Sequence, residues 1–350
     1  METISFARGG PPPECLPDAE LADCARTVLE REGKTILSYG SGAGYTPLRE
    51  LIGEWFGVHP YRVLLTNGSL QGLALLARRF VRGKSVMVEY PTYDRALKVL
   101  LRAGASLLAA VVDDDGLNVD DVELQQMGQQ RPAFVYTIPT FQNPTGRTLP
   151  EDRRRALVNA LMTRGIRLVE DDPYTLLRFE GVTQPALFDF AQKQSIYCSS
   201  FSETIAPGLR VGWLILPDEL AGELTEAANS TYITPSLLSQ AVVCEFIRRG
   251  SFEPQLRKLN ETLVVRRDAM LAALEKHFAG AKWTRPEGGH FVWVEVPMGT
   301  DMRPVLERAE GVTAVDGTEF SAPSNLVRLS YSCVSPDEIE TGIERLAAAL

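Results

Sequence analysis

The sequence contains little lysine or histidine: seven lysines and three histidines occur among 350 residues. The histidines lie far apart and show no HxxxH spacing, so we expect no metal site. The five cysteines are odd in number and form no CxxC pair, which predicts reduced thiols and a cytoplasmic protein. The formal net charge of −9 argues against a nucleic-acid surface, because phosphate binding needs clustered lysine and arginine. We expect no membrane span, since no apolar run approaches ~18 residues, and no signal peptide, since the first residues contain no apolar core between a basic start and a cleavage site.

Apolar runs rich in β-branched residues alternate with helix-period runs between residues 60 and 216. This alternation predicts βαβ units and a mainly parallel sheet, whose strands are apolar throughout because both faces are buried. Long helices predicted at 218–249 and 251–278, followed by short strands, indicate a second, α+β unit, and the proline-rich start predicts an extended arm. The predicted strands are Val63–Thr66, Ser85–Glu89, Leu107–Val111, Ala133–Ile138, Arg167–Glu170, Ser195–Cys198, Gly212–Leu216, His290–Val296 and Leu326–Ser330, and the other predicted helices are Ser69–Val81, Tyr93–Ala103, Glu151–Arg164 and Ser335–Ala349.

Polar motifs follow several of these strands. T-N-G-S-L-Q-G-L (66–73) opens a helix, whose N-terminal backbone N–H groups suit a phosphate. F-Q-N-P-T-G-R (141–147) and V-E-D-D-P-Y (169–174) follow two further strands, and open α/β sheets bind ligands at the carboxyl ends of their strands. Each motif alone is also typical of an ordinary turn or a solvated strand end. Their order along the chain is more informative than any one of them.

The segment S-S-F-S-E-T-I-A-P-G-L-R-V-G-W (199–213) resembles the cofactor-lysine segment of the class I/II aminotransferases, which use pyridoxal 5′-phosphate (PLP). With the motifs above, the resemblance covers residues 4–346. Within the family, the sequence most resembles the α-aminoadipate and multi-substrate aminotransferases. It implies an α/β, fold-type I architecture with a mainly parallel seven-stranded sheet and a smaller α+β domain, in a homodimer. The implied division is an arm and part of the small domain at 1–32, a cofactor domain at 33–240 and the rest of the small domain at 241–350.

The resemblance also implies roles for individual residues. Asp171 would pair with the pyridine nitrogen of the cofactor, while Asn143 and Tyr174 would contact its phenolic oxygen and Tyr93 would stack on its ring. Tyr39 would reach the cofactor phosphate of a partner subunit. The implied phosphate ligands are Gly68, Ser69, Ser200, Ser202 and Arg210, and the implied contacts to the substrate carboxylate are Gly9 and Arg328.

Glu203 stands where the family carries the lysine that holds PLP as a Schiff base. A carboxylate cannot form an imine, so the resemblance implies a non-covalently held cofactor, PLP or pyridoxamine phosphate (PMP), with Asp171, Tyr174 and Glu203 as catalytic residues. Leu70 also departs from the family, as do three residues of one helix, Gln255, Asn260 and Leu263.

Two interpretations of Glu203 remain open. It is either an accidental or engineered replacement in a true aminotransferase, or one mark of a diverged protein, and the several departures favour divergence. A diverged protein would be a PMP-dependent or cofactor-free lyase or dehydratase, or a pseudoenzyme that binds an amino acid or a partner. His290 is either a substitute base or, as is more common, a structural histidine. The side chain of the amino or keto acid substrate is not determined by the sequence.

Overall fold

The computed structural model describes residues 3–127 and 131–350. In chain order the strands are β1 (Ile4–Ser5), β2 (Val63–Thr66), β3 (Ser85–Tyr90), β4 (Ser106–Asp113), β5 (Gly116–Leu117), β6 (Val135–Thr137), β7 (Leu168–Asp171), β8 (Ser195–Ser200), β9 (Gly212–Ile215), β10 (Lys282–Trp283), β11 (Phe291–Glu295), β12 (Val312–Thr313), β13 (Val315–Asp316) and β14 (Leu326–Ser330). The helices are α1 (Asp18–Ile36), α2 (Thr46–Phe56), α3 (Ser69–Phe80), α4 (Asp94–Arg102), α5 (Val119–Met127), α6 (Glu151–Thr163), α7 (Leu187–Phe190), α8 (Asp218–Tyr232), α9 (Leu237–Arg248), α10 (Phe252–His277), α11 (Met302–Arg308) and α12 (Pro336–Ala348).

The central sheet has eight strands in the order β2-β9-β8-β7-β6-β3-β4-β5. Strands β4, β3, β6, β7 and β8 run parallel, whereas β9 is antiparallel to both β8 and β2. Every residue of β7 and β8 is buried, as expected for parallel strands covered by helices on both faces. Seven of the nine strands predicted from sequence lie in this sheet, and the other two correspond to β11 and β14 of a second sheet. The eighth, β5, was missed because it is only two residues long and pairs with the end of β4.

The predicted helix at 218–249 was wrong, because the structure has two helices there, α8 and α9. Ile233 follows α8 with a φ of 68°, outside the helical region. Pro235 cannot donate a backbone hydrogen bond and disfavours helical geometry at the residue before it. Ser236 then begins the next helix by accepting the N–H of Ser239. The sequence pattern did not predict the break, because the helical periodicity is present on both sides of it.

The N-terminal segment is extended at β1, forms a short 3-10 helix at Pro13–Cys15, and packs where the two ends of the chain meet. β1 pairs in parallel with β12, and the N–H of Ser330 donates to the carbonyl of Phe6. The amide of Gln255 donates to the carbonyl of Cys15 at 2.8 Å, which gives this departure from the family a structural role. A four-stranded sheet, β10-β11-β14-β13, lies in the same part of the chain.

The described residues contain neither a candidate membrane span nor a candidate metal site. None of the helices described combines the length and the apolar composition that crossing a membrane requires. Within residues 3–127 and 131–350 no three His, Cys, Asp or Glu side chains are grouped as metal ligands would be.

Candidate active site

A cavity of about 530 Å³ lies at the carboxyl ends of the parallel strands. Tyr93, Asn143, Tyr174 and Glu203 each follow one of the strands β3, β6, β7 and β8 by a few residues, so the sheet brings them to one edge. The structure therefore brings six of the candidate residues from the sequence together around this cavity, as their positions after the strands predicted. The individual roles of these residues stay predictions. These six lining residues are Gly9, Tyr93, Asn143, Tyr174, Glu203 and Arg328.

Asp171, the last residue of β7, is almost completely buried and has an unused oxygen. Its Oδ2 accepts a hydrogen bond from the Tyr136 hydroxyl at 2.7 Å, while Oδ1 has no partner among the described residues. The pKa of Asp171 is raised to about 7, mainly by burial. The charges of Asp172 and Glu203 contribute to this rise, and the hydrogen bond from Tyr136 opposes it. A buried carboxylate oxygen without a donor is costly, so the site fits a group that brings an N–H, such as a protonated pyridine nitrogen.

An anion cradle lies at the start of α3. Arg210 donates from Nη1 to the Ser202 hydroxyl at 3.3 Å and from Nη2 to the Asn67 carbonyl at 3.2 Å, which holds its guanidinium across the helix N-terminus. Gly68 has a φ of 83°, and a Cβ there would lie 2.2 Å from Nη2 of Arg210. A Cβ on Gly212 would lie 2.5 Å from the carbonyl carbon of Gly68. Helix N–H groups, hydroxyls and a guanidinium together suit a phosphate.

The serines of this cradle are placed by β8 and the turn after it. The N–H of Ser202 donates to the hydroxyl of Ser200 at 3.2 Å, and both side chains are buried. Gln71 closes the turn before α3, because its Oε1 accepts the N–H of Asn67 at 2.7 Å.

Arg328, from the middle of β14, is buried with part of its guanidinium free. Nη1 donates to Oδ1 of Asn143 at 2.8 Å and Nη2 to the carbonyl of Ala7 at 2.6 Å, while Nε has no partner in the described structure. The guanidinium carbon lies 4.3 Å from the ring centre of Phe291 and 4.8 Å from that of Phe320. Burial lowers the pKa of Arg328 to about 10, so it stays charged at neutral pH. A buried, partly paired guanidinium suits a carboxylate.

The cavity lining also includes Asn143, Gly9, Tyr93 and Tyr174. Because Oδ1 of Asn143 accepts from Arg328, its Nδ2 is left as the donor that faces the cavity. A Cβ on Gly9 would lie 2.5 Å from Cζ of Phe291, so only glycine allows the arm to pass this close to the site. Burial raises the pKa of Tyr93 to about 12 and that of Tyr174 well above its usual range, so both hydroxyls remain protonated donors.

Glu203 contacts a residue to which sequence reasoning gave little weight. Its Oε2 lies 3.1 Å from Nε2 of His290, the residue just before β11. The Glu203 side chain is 20% exposed towards the cavity, whereas the His290 side chain is completely buried. The sequence signal was His290 itself, a polar residue in an otherwise apolar E-G-G-H-F-V-W run.

Some residues lie apart from this cavity. Tyr39 is 86% exposed and does not line it, so its predicted role in a partner subunit is untested. The cavity lining, taken from the described residues, includes no lysine. Lys98 is bonded to two lining residues, Asp94 at 3.0 Å and Glu319 at 3.2 Å, on the outer side of α4.

Comparison with known proteins agrees with this geometry. A family model described as aminotransferase class I and II matches residues 5–346. The chain is 36% identical over 358 residues to a 2-aminoadipate transaminase of Thermus thermophilus, covering 99% of this chain and 90% of that protein. The crystal structure of LysN, an alpha-aminoadipate aminotransferase of the same organism complexed with N-(5'-phosphopyridoxyl)-L-leucine, matches with a TM-score of 0.95 and 36% identity over 99% of this chain and 92% of that one.

A second solved structure is similar over the same range. It is the Pyrococcus horikoshii kynurenine aminotransferase in complex with PMP, with a TM-score of 0.94 and 35% identity, covering 100% of this chain and 91% of that one. The chain therefore belongs to the aminotransferase class I and II family, as an enzyme with the α/β fold of the fold-type I PLP-dependent transferases.

Proposed function

We propose that this protein is an aminotransferase-like enzyme that holds PLP or PMP without a covalent bond and acts on an α-amino or α-keto acid. The observation that carries the proposal is one cavity lined by the guanidinium of Arg328 and the carboxylate of Glu203. Asp171, at the end of β7, adds a buried oxygen that has no partner among the described residues. When bound, such a cofactor withdraws electrons from the substrate α-carbon.

Each group of the chain has a defined task in this proposal. Asp171 keeps a ring nitrogen protonated, the cradle around Arg210 binds a phosphate, and Arg328 orients the substrate carboxylate. Glu203 stands in the place of the family's lysine and offers an acceptor for the ammonium group of PMP. This charge pairing supports a preference for PMP over PLP.

Absorbance titration of the purified protein with PLP and with PMP tests the proposal. We expect both to bind, PMP more tightly, with no covalent bond that borohydride can reduce. Glu203→Lys should create a reducible covalent bond to PLP and raise transaminase activity. Tighter binding of PLP than of PMP by the unsubstituted protein contradicts the preference, and failure to bind either one favours the pseudoenzyme interpretation.

The charges at the cavity mouth support a substrate with an acidic side chain. Arg8 and Arg95 are exposed, line the cavity and make no ion pair within the described residues. The neighbouring carboxylates of Asp94 and Glu319 are instead paired with Lys98. The mouth is therefore positive towards an incoming ligand. A panel of amino acids with acidic, aromatic and aliphatic side chains tests this, and equal kcat/KM for acidic and aliphatic substrates contradicts it.

We further propose a homodimer in the cytoplasm. Leu37 and Tyr39 lie two residues apart and are 69% and 86% exposed, and a partner subunit over this segment would bury both. The cysteines are free thiols, consistent with a reducing compartment. Light scattering of the purified protein measures the oligomeric state. Tyr39→Phe should leave that state unchanged while weakening cofactor binding, whereas a monomer contradicts the proposal.

A further inference from the structure

We infer that Glu203 and His290 form one proton-transfer unit, in which the Glu203 carboxylate exchanges a proton with the substrate α-carbon and His290 positions that carboxylate. The inference rests on the proposed function and deepens it, because it names the group that replaces the amine of a lysine as the base. Glu203 is the catalytic residue of the pair and His290 is a positioning residue.

The contact between the two side chains defines where the hydrogen lies. Oε2 of Glu203 is 3.1 Å from Nε2 of His290, and an ionised carboxylate only accepts hydrogen bonds, so Nε2 carries the hydrogen. Nδ1 of His290 is buried and has no partner in the described part of the chain. A second proton on Nδ1 would be a buried donor without an acceptor, which is costly. The neutral imidazole with its hydrogen on Nε2 is therefore the form that fits this site.

The surroundings make His290 rigid and leave Glu203 accessible. The imidazole is completely buried and meets the rings of Tyr174 and Phe291 edge-on, at 5.8 Å and 6.0 Å between ring centres. Glu203, by contrast, lines the cavity and keeps part of its side chain exposed. A fixed donor behind an accessible carboxylate is the arrangement by which a general base is oriented.

Other titratable groups around Glu203 do not take over this role. Asp171 is an acidic neighbour of Glu203. The negative charge of Glu203 also opposes the ionisation of three nearby groups, Tyr93, Tyr174 and Cys333. The cationic groups of the lining are Arg328, which is bonded to Asn143 and Ala7, and Arg8 and Arg95 at the mouth. Within residues 3–127 and 131–350, the imidazole of His290 is the one hydrogen-bond partner of the Glu203 side chain.

The proposed step balances without a further reactant. The Cα–H bond of the substrate breaks, a Glu203 Oε atom gains the proton, and the electron pair stays with the substrate and its bound cofactor. The carboxyl group then returns the proton to the same carbon or to a neighbouring one. His290 keeps its own hydrogen throughout and holds the carboxylate by donating from Nε2.

The first experiment needs no cofactor. Side-chain ¹⁵N NMR of the unliganded protein reports which nitrogen of each histidine carries a hydrogen, and His290→Leu identifies the His290 signals. We expect the hydrogen of His290 on Nε2, and Glu203→Gln should change the Nε2 signal because an amide replaces the carboxylate that accepts this hydrogen. The pair His277–Glu340, at 2.9 Å, is the matched control, and Glu340→Gln should change the His277 signals alone. A His290 hydrogen on Nδ1, or an Nε2 signal that Glu203→Gln leaves unchanged, overturns the inference.

The second experiment follows exchange of the substrate α-hydrogen for solvent deuterium in the PLP-loaded protein. Glu203→Gln should slow exchange by ~10²–10⁴-fold. His290→Leu removes the donor that stabilises the ionised carboxylate, so the exchange rate should fall by about 10²-fold. In a plot of this rate against pH, the part where the rate rises (the rising limb) should move to higher pH. His290→Gln keeps an amide donor and should restore the limb to its original pH. A structural role alone would lower the rate and leave the limb in place.

The outcomes separate this inference from the proposed function. If the loaded protein exchanges the α-hydrogen and Glu203→Gln does so equally fast, the inference is overturned while the proposed function stands. If neither PLP nor PMP binds, both are overturned, and the ¹⁵N NMR signals of His290 still report on its contact with Glu203. A moved pH limb in His290→Leu, restored in His290→Gln, supports the inference.

Discussion

Asp171→Asn should stabilise the protein without cofactor and at the same time weaken cofactor binding. Most substitutions of a buried residue destabilise, so the sign of this expectation is informative. The carboxyl group of Asp171 is buried with one oxygen unpaired, whereas an asparagine there still accepts the Tyr136 hydroxyl and carries no charge. A residue retained at such a cost to stability is one that function requires.

The magnitude follows from the raised pKa of Asp171, about 7 against an ordinary value of 3.8. The folded protein keeps a proton that the unfolded chain releases, so between about pH 4 and pH 7 folding loses ~1.4 kcal/mol per pH unit. Above pH 7 the loss stays constant at an upper limit of ~4 kcal/mol. The asparagine variant avoids this loss, and we expect it to gain ~2–4 kcal/mol at pH 8.

Urea denaturation followed by tryptophan fluorescence, at several pH values between 5 and 8, measures this difference. Glu170 is another buried carboxyl with a raised pKa, but it titrates in both proteins and cancels in the comparison. Glu89 and Asp172 interact with the Asp171 charge, so their pKa values should fall in Asp171→Asn and add to the gain. Tyr136→Phe is the control, since it removes the donor to Asp171 and should destabilise. If Asp171→Asn lowers stability by the same amount at pH 5 and pH 8, the electrostatic reasoning is refuted.

Three other substitutions test separate parts of the molecule. Arg328→Lys removes the paired donors that contact Asn143 and Ala7, and steady-state kinetics should show KM for the substrate raised by ~10–100-fold, whereas an unchanged KM argues against a carboxylate site. Gly212→Ala places a Cβ 2.5 Å from the carbonyl carbon of Gly68, so it should cost ~1–3 kcal/mol and weaken PMP binding, both measurable by thermal unfolding with and without PMP. Ser335→Ala removes the capping box of α12 and should cost ~1 kcal/mol in urea while leaving the affinity for PMP unchanged; a change in that affinity would show that its effect is not local.

Much of the fold was predictable because the pattern of buried strands is local. Strands β2, β7 and β9 begin or end within one residue of their predicted limits, since their apolar runs are bounded by turn residues. The break between α8 and α9 was not predicted, although Pro235 marks it, because the periodicity on both sides was weighed above a single residue. The two-residue strand β5 carries too few side chains to form a pattern.

Only part of the candidate site was predicted from the sequence. Residues that directly follow parallel strands, such as Asn143 and Tyr174, came together as expected, because the carboxyl ends of such strands share one edge. The supporting residues were missed. Tyr136 lies inside an apolar strand and looks like core in sequence, yet its hydroxyl holds Asp171.

The sequence by itself determined the chain order of the seven longer strands of the central sheet, the polar residues at the strand ends and the presence of a carboxylate at position 203. These features depend on residue type and on spacing over a few positions, which a chain carries before it folds. Only the tertiary structure decided that Arg328 meets Asn143 and that His290 meets Glu203. Those partners lie 185 and 87 residues apart, so they meet only because β11 and β14 pack beside the edge of the central sheet, and no local pattern records such a contact.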